Sequence, residues 1–306
     1  MLWIWLTLGA AAAQTARNTL QRSLVTAVGT LGATQVRFMF GLPFAFLFLA
    51  ILAVILEVRS EGGQIGIAVQ SFSLGVLSSL LVGSVFQILA TAFMLTAMEK
   101  QSFVVVTAIT KTEPLLVALF GFCVLGDSLT AMQWLAVAMA TSGVVIFSWP
   151  QSEQAKVASL VPALVPGLIA ASCFAFSVLG FRSTVIGLGL EAPFYVRALL
   201  VLVAGQIVQT TLLATWLAVR QPGRINQLLH AWRPSLLAGF FGASASAFWF
   251  TAFSVQSAAL VRTVGLVEIF FALIVAQQIF KQKTSAIQIF GLAALAVGVG
   301  LLIVLS

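Results

Sequence analysis

Charged side chains are scarce in this 306-residue chain: 8% of its residues are Asp, Glu, Lys or Arg, and only eight are acidic. Soluble domains carry about 25%, so this composition excludes a soluble fold. There is one histidine, His230, and there are two cysteines, Cys123 and Cys173. With no HExxH, no GxSxG and no paired histidines, neither a metal centre nor a nucleophile–base set can be assembled. The sequence therefore points to no enzyme, no metal and no cofactor. Both cysteines fall inside apolar runs and read as small buried residues, not as a disulfide. His230 lies in an Arg-rich loop and reads as solvated. A phosphate-cradling glycine–lysine loop is also missing, so ATP is not a direct energy source. The net charge of +7 does not imply nucleic acid, because the basic residues are spread over loops and run ends instead of forming a patch.

Apolar residues are what the chain has in excess: 61% of the composition, with a mean hydropathy of +1.12. A membrane-spanning helix needs about 20 such residues. Ten spans are expected, at about 2–22, 34–56, 72–97, 101–124, 130–149, 160–181, 193–218, 235–256, 258–280 and 285–305. Long unbroken runs exclude the alternating pattern of a β-barrel, so the expected fold is an all-α, multi-pass protein of the lipid bilayer. The first run has no basic stretch ahead of it and takes part in the repeat described next. It reads as mature structure, not a signal peptide.

The chain repeats itself. Residues 92–102, AFMLTAMEKQS, align with 247–257, AFWFTAFSVQS, at an offset of 155, which also sets Glu113 on Glu268 and Gly143-Val144 on Gly298-Val299. At an offset of 160, Arg22-Ser23 falls on Arg182-Ser183, Gly29 on Gly189 and Val36-Arg37 on Val196-Arg197. The expected domains are a first repeat over 1–149, a polar linker over 150–159 and a second repeat over 160–306. Five spans is an odd number, so the second repeat enters the membrane from the opposite side. That makes two inverted repeats, the layout of a carrier whose solute site lies between repeats.

Ionisable groups at bilayer depth are costly and point to function. Glu113 and Glu268 fall in the middle of their predicted spans and are candidates for binding solute. A desolvated carboxylate can also carry a coupling proton, and the alternative is a carboxylate fixed in an ion pair. In the first span Thr7, Gln14, Arg17, Asn18 and Gln21 share one helical face. Such a stripe faces a wet cavity or partner helices. The positions equivalent to it are Gly167, Phe174, Ser177, Val178 and Phe181, offering aromatic walls where the first span offers donors and a cation. Gln87, Trp249, Ser244 and Ser246 are further candidates to line a cavity. Lys111 lies about 200° round its helix from Glu113 and Arg262 about 120° from Glu268, at 100° per residue. Each therefore reaches either a charge on another helix or the membrane interface.

The runs TEPLLVALFGFCVLGDSLTAMQWLAVAMATSGVVIF and VEIFFALIVAQQIFKQKTSAIQIFGLAALAVGVGLLI, with the opening VRFMFGLPFAFLFL, resemble the ten-helix EamA-type carriers of the drug/metabolite transporter superfamily. Asp127 stands where the family's turn usually has Glu, Lys281–Ser285 replaces that turn in the second half, and Ile269 stands where Pro is common. The resemblance implies alternating access by two repeats and termini on the cytoplasmic side. Loop charges point the other way: Lys100, Lys156, Arg220, Arg224, Arg233, Lys281 and Lys283 lie on one side and Arg59 on the other, which sets both termini outside.

The function expected is a secondary transporter that works by alternating access and exports a small polar, amino-acid-like solute, zwitterionic or anionic, through a bacterial inner membrane. Its expected site is Gln14, Arg17, Asn18, Gln87, Glu113, Trp249 and Glu268. The alternative is a proton-coupled exporter of organic cations, and a remote one is a non-transporting scaffold or receptor. Monomer and homodimer both remain open.

Overall fold

In lipid, apolar runs leave the backbone one way to satisfy its own polar groups within a single segment, the α-helix. The computed structural model describes residues 1–100, 106, 109–148, 153–271, 273 and 285–306, and every regular element among them is helical. In chain order these are α1 (Leu2–Met39), α2 (Leu42–Val58), α3 (Gly63–Gln70), α4 (Leu74–Lys100), α5 (Glu113–Leu125) and α6 (Ala131–Phe147). They continue with α7 (Glu153–Gly187), α8 (Phe194–Arg220), α9 (Arg224–His230), α10 (Trp232–Val255), α11 (Ala258–Val264), a 3₁₀ turn (Gly265–Val267) and α12 (Ala286–Val304). Six segments among the described residues are long and apolar enough to cross a membrane: Val28–Val58, Leu74–Ala97, Leu164–Gly187, Phe194–Arg220, Trp232–Val255 and Ala286–Val304. α5 and α6 are shorter apolar helices.

Two compact units result, one made of Met1–Ile88 and Gly180–Gln256, the other of Leu89–Leu179 and Ser257–Ser306. In the first unit α1 packs along α10, and α8 packs against α10 and α2. Phe240 of α10 meets the rings of Phe44 and Phe48 edge-on, at 5.3 and 6.2 Å between centroids.

α1 is longer than the predicted span 2–22 because it is two helices joined at Gly29, whose φ of 69° and ψ of 171° interrupt it. Gly189, between α7 and α8, has φ 79°. The two stand 160 positions apart, where the repeat sets them. A side chain at such a φ costs about 1–2 kcal/mol, so glycine is what the turn requires. Hydropathy placed a loop at about 23–33, but side chains close this turn internally. Gln21 Nε2 donates to the Ala33 carbonyl at 2.7 Å.

In the second unit α6 and α12 pack backbone to backbone. A Cβ built at Gly143, Gly291 or Gly298 would fall within 2.5, 2.6 and 2.5 Å of the facing chain. Small residues allow such approach in lipid, where close packing drives association. Both helices begin with a capping box. Gln133 N donates to Thr130 Oγ1 and Thr130 N to Gln133 Oε1, at 3.2 and 3.0 Å; Gln288 N and Ser285 N repeat the pattern at 3.3 and 2.9 Å. The box at Ser285 persists although the turn sequence before it differs, Lys281–Thr284 lying outside the described residues. In the first turn Asp127 contributes its backbone N–H, which donates to the Gly121 carbonyl at 3.1 Å after Gly126 turns left-handed.

The predicted spans 101–124 and 258–280 are not continuous helices. The first breaks at Lys111-Thr112 and restarts at Glu113, with Pro114 in its first turn. Proline lacks the N–H that an uninterrupted helix would use and is tolerated only where that donor is already free. Thr112 Oγ1 donates to the Ile109 carbonyl at 2.7 Å, closing the end before the break. In the second, Ile269 replaces the proline, and the chain tightens into the 3₁₀ turn instead of breaking. Residues 274–280 lie outside the described residues. Of the linker read at 150–159, residues 153–159 are helical and begin α7.

Candidate functional site

The polar stripe of α1 divides into structural ends and a central group. Thr7 is fully buried and spends its hydroxyl on the Trp3 carbonyl at 2.7 Å, and Gln21 is committed to the turn at Gly29. Both side chains are buried and committed to the chain's own carbonyls. Between them, Gln14 Oε1 accepts from Trp249 Nε1 at 3.1 Å across 235 positions of sequence. Arg17, 5% exposed, donates from Nη2 and Nε to Asn18 Oδ1 at 2.7 and 3.2 Å, and Asn18 itself is exposed. The stem of Arg17 lies beside that of Arg37 over Gly242, where a Cβ would meet Arg37 Cγ at 3.4 Å and Arg17 Cδ at 3.5 Å. Four of the expected residues, Gln14, Arg17, Asn18 and Trp249, thus occur on facing helices of one unit.

Gln87 accepts from Gln209 Nε2 at 2.7 Å. Gln209 and Gln206 of α8 are buried amides that the sequence reading passed over. Their i, i+3 spacing inside an apolar span was the available signal. Arg37 and Arg197, buried too, entered the sequence reading only as a repeat-related pair; Arg197 Nη1 donates to the Val185 carbonyl at 3.2 Å. Ser244 lies in an apolar groove of about 540 Å³ lined by Phe48, Phe240, Phe241 and Phe248. Phe181, expected as a cavity wall, is core: it is 1% exposed and packs on Phe250 with ring centroids 4.6 Å apart.

The second unit gathers the other two. Glu113 and Glu268 are both buried, at 4% and 7% exposure. Arg262 of α11 meets Glu113 at the start of α5, Nη2 to Oε2 at 2.5 Å, and Lys111 pairs with Glu268. Both cations have therefore reached a charge on another helix instead of the membrane interface, and each carboxylate sits in an ion pair. The pairs cross: each interrupted segment gives a cation to the other's glutamate. Phe120 of α5 and Phe176 of α7 stack, with centroids 4.7 Å apart. Among the described residues no cluster of His, Cys, Asp and Glu could hold a metal.

Several apolar helices long enough to cross a membrane mark a multi-pass membrane protein. The model of the EamA-like transporter family matches residues 1–149. That domain, just under half of the chain, is of the EamA-like transporter family, whose members are transporters and not enzymes. A crystal structure of a protein 14% identical to this chain superposes with a TM-score of 0.70, covering 99% of this chain and 98% of the other, and shows a shared fold. No curated protein matches the sequence.

Proposed function

We propose that the chain is a secondary carrier that exports a small, amino-acid-like solute, zwitterionic or anionic, across a bacterial inner membrane. It works by alternating access of two inverted five-helix repeats, 1–149 and 160–306. One observation supports this above the others: both interrupted segments fall at the repeat-related glutamates, Glu113 and Glu268. Broken helices are tolerated in lipid where their exposed ends serve a cavity or a ligand. In this reading Gln14, Arg17, Asn18, Gln87 and Trp249 contact the solute, with Arg17 the fixed cation for a carboxylate. Glu113 and Glu268 serve coupling, through exchange of an ion-pair partner for a proton or a solute group. The pairing with Arg262 and Lys111 weighs against the organic-cation alternative, since each carboxylate already holds a cation.

Proteoliposomes carrying the purified protein test this, with uptake and efflux of a labelled metabolite panel measured with and without a proton gradient. Saturable exchange of amino-acid-like solutes is the expected result. Transport confined to organic cations would establish the alternative, and no exchange of any solute would remove the carrier reading.

A further inference from the structure

The two short helices of the first unit are related by the repeat. Shifted by 160 positions, α3 (Gly63–Gln70) covers 223–230, and α9 runs from Arg224 to His230. Each is anchored by one fully buried residue at the same repeat position, Ala68 in α3 and Leu228 in α9. Charge separates them. Glu57, Arg59 and Glu61 precede α3, whereas Arg220, Arg224 and Arg233 surround α9, and no Asp or Glu occurs between Glu191 and Glu268.

The corner at α9 is fixed from within. Leu228 lies against Gly32 of α1, where a Cβ would meet it at 3.4 Å. Arg224 donates from Nε and Nη1 to the side-chain oxygens of Gln221 and Gln227 at 3.1 and 3.0 Å. Arg220 and Arg233 remain exposed. Arg220 ends the membrane-crossing segment Phe194–Arg220, and Arg233 stands second in Trp232–Val255. These helices, α8 and α10, pack against each other and both touch α9, so the two arginines flank it. Each comes with an exposed indole: Trp216 lies one helical turn before Arg220, and the Arg233 guanidinium sits 5.5 Å over the ring of Trp232. Val219 and Leu229 are exposed between them. Tryptophan belongs at the level of lipid headgroups, where an arginine can bury its stem and reach a phosphate. A soluble anion would answer the arginines and leave the apolar side chains bare.

We infer that α9, with the adjoining ends of α8 and α10, is a docking surface for an acidic phospholipid. Arg220 and Arg233 hold the headgroup phosphate, and Trp216 and Trp232 cover the glycerol backbone and the first acyl carbons.

Displacement of dansyl-phosphatidylglycerol from the full-length protein in neutral detergent, read by energy transfer from tryptophan, tests this. The competitors are phosphatidylglycerol and phosphatidylcholine of matched chains, and soluble glycerol phosphate. Phosphatidylglycerol should compete about 25-fold better than phosphatidylcholine, roughly fivefold from each arginine, and this preference should shrink as salt is raised. Arg220→Gln with Arg233→Gln removes the preference; each single variant, which serves if the double folds poorly, loses about fivefold. Arg220→Lys with Arg233→Lys retains most of it, and Arg59→Gln, beside the repeat-related α3, leaves it unchanged. Equal competition by the two lipids in the wild type overturns the inference, as does a preference that survives both glutamine substitutions. Glycerol phosphate competing as well as the lipid overturns it too, making the surface a site for a free phosphate.

Discussion

Neutralising one member of the Glu113–Arg262 pair should destabilise the protein far more than neutralising both. The side chains are 6% and 11% exposed, so water screens the pair little. Arg262→Gln leaves the Glu113 carboxylate buried beside an amide, and Glu113→Gln leaves the guanidinium in the same position. Breaking a buried pair from one side costs about 3–5 kcal/mol, while replacing both partners with neutral groups is often close to neutral. Independent sites would add to about 6–10 kcal/mol in the double variant; the structure predicts roughly 0–2 kcal/mol instead, a coupling of several kcal/mol. In detergent, thermal unfolding followed by fluorescence-detected size exclusion would show each single variant losing on the order of 6–20 °C, at about 2–4 °C per kcal/mol for a cost of about 3–5 kcal/mol. The double variant should return to within about 8 °C of wild type. Additive losses would refute the reasoning and mean that the two side chains act separately.

Arg17→Ala should reduce transport of carboxylate-bearing solutes by about 100-fold or more while expression persists, since several kcal/mol of pairing is lost and each 1.4 kcal/mol is tenfold; transport assays against equal amounts of reconstituted protein check this. If folded protein is lost and the remainder transports normally, Arg17 is structural. Gly189→Ala should lower stability by about 1–2 kcal/mol, the cost of a side chain at a left-handed φ, and a melting curve unchanged from wild type would contradict the turn. The loop charges predict that a fluorescent protein fused after Ser306 stays dark, outside the cytoplasm; a bright fusion would establish the orientation the family resemblance implies.

Much of the helical content was legible because apolar runs long enough to cross lipid have few alternatives. The ends of those runs were less legible. Hydropathy cut the first span at about residue 22, yet Gln21 and Gly29 carry the helix further by satisfying a polar turn from within. The break at Lys111-Thr112 and the 3₁₀ turn at Gly265–Val267 fall inside runs that hydropathy reads as single spans, with Pro114 a local sign of the first. Glu113 and Glu268 stood out as acids in apolar surroundings. Their partners did not, because Lys111 and Arg262 reach them across α5 and α11, a relation no helical wheel contains. Gln14 and Trp249 were picked out separately, one for its stripe and one for its ring, and only the packing of α1 on α10 joins them.

The two capping boxes have a consequence for how the chain is made. A helix whose first donors are satisfied by Thr130 and Gln133, or by Ser285 and Gln288, can enter the bilayer before any neighbour exists to complete it. α6 leaves the ribosome well ahead of α12, the interval from Phe147 to Ala286 taking roughly 7–30 s at ordinary rates of synthesis. During that wait its bare backbone at Gly143 faces lipid and whatever other nascent helices pass. The capping box keeps α6 helical meanwhile, so that the surface α12 eventually meets is already formed. Crowding that surface with a larger side chain would therefore act during biogenesis, leaving α12 inserted but unpaired and exposing the chain to membrane quality control before it has carried any solute.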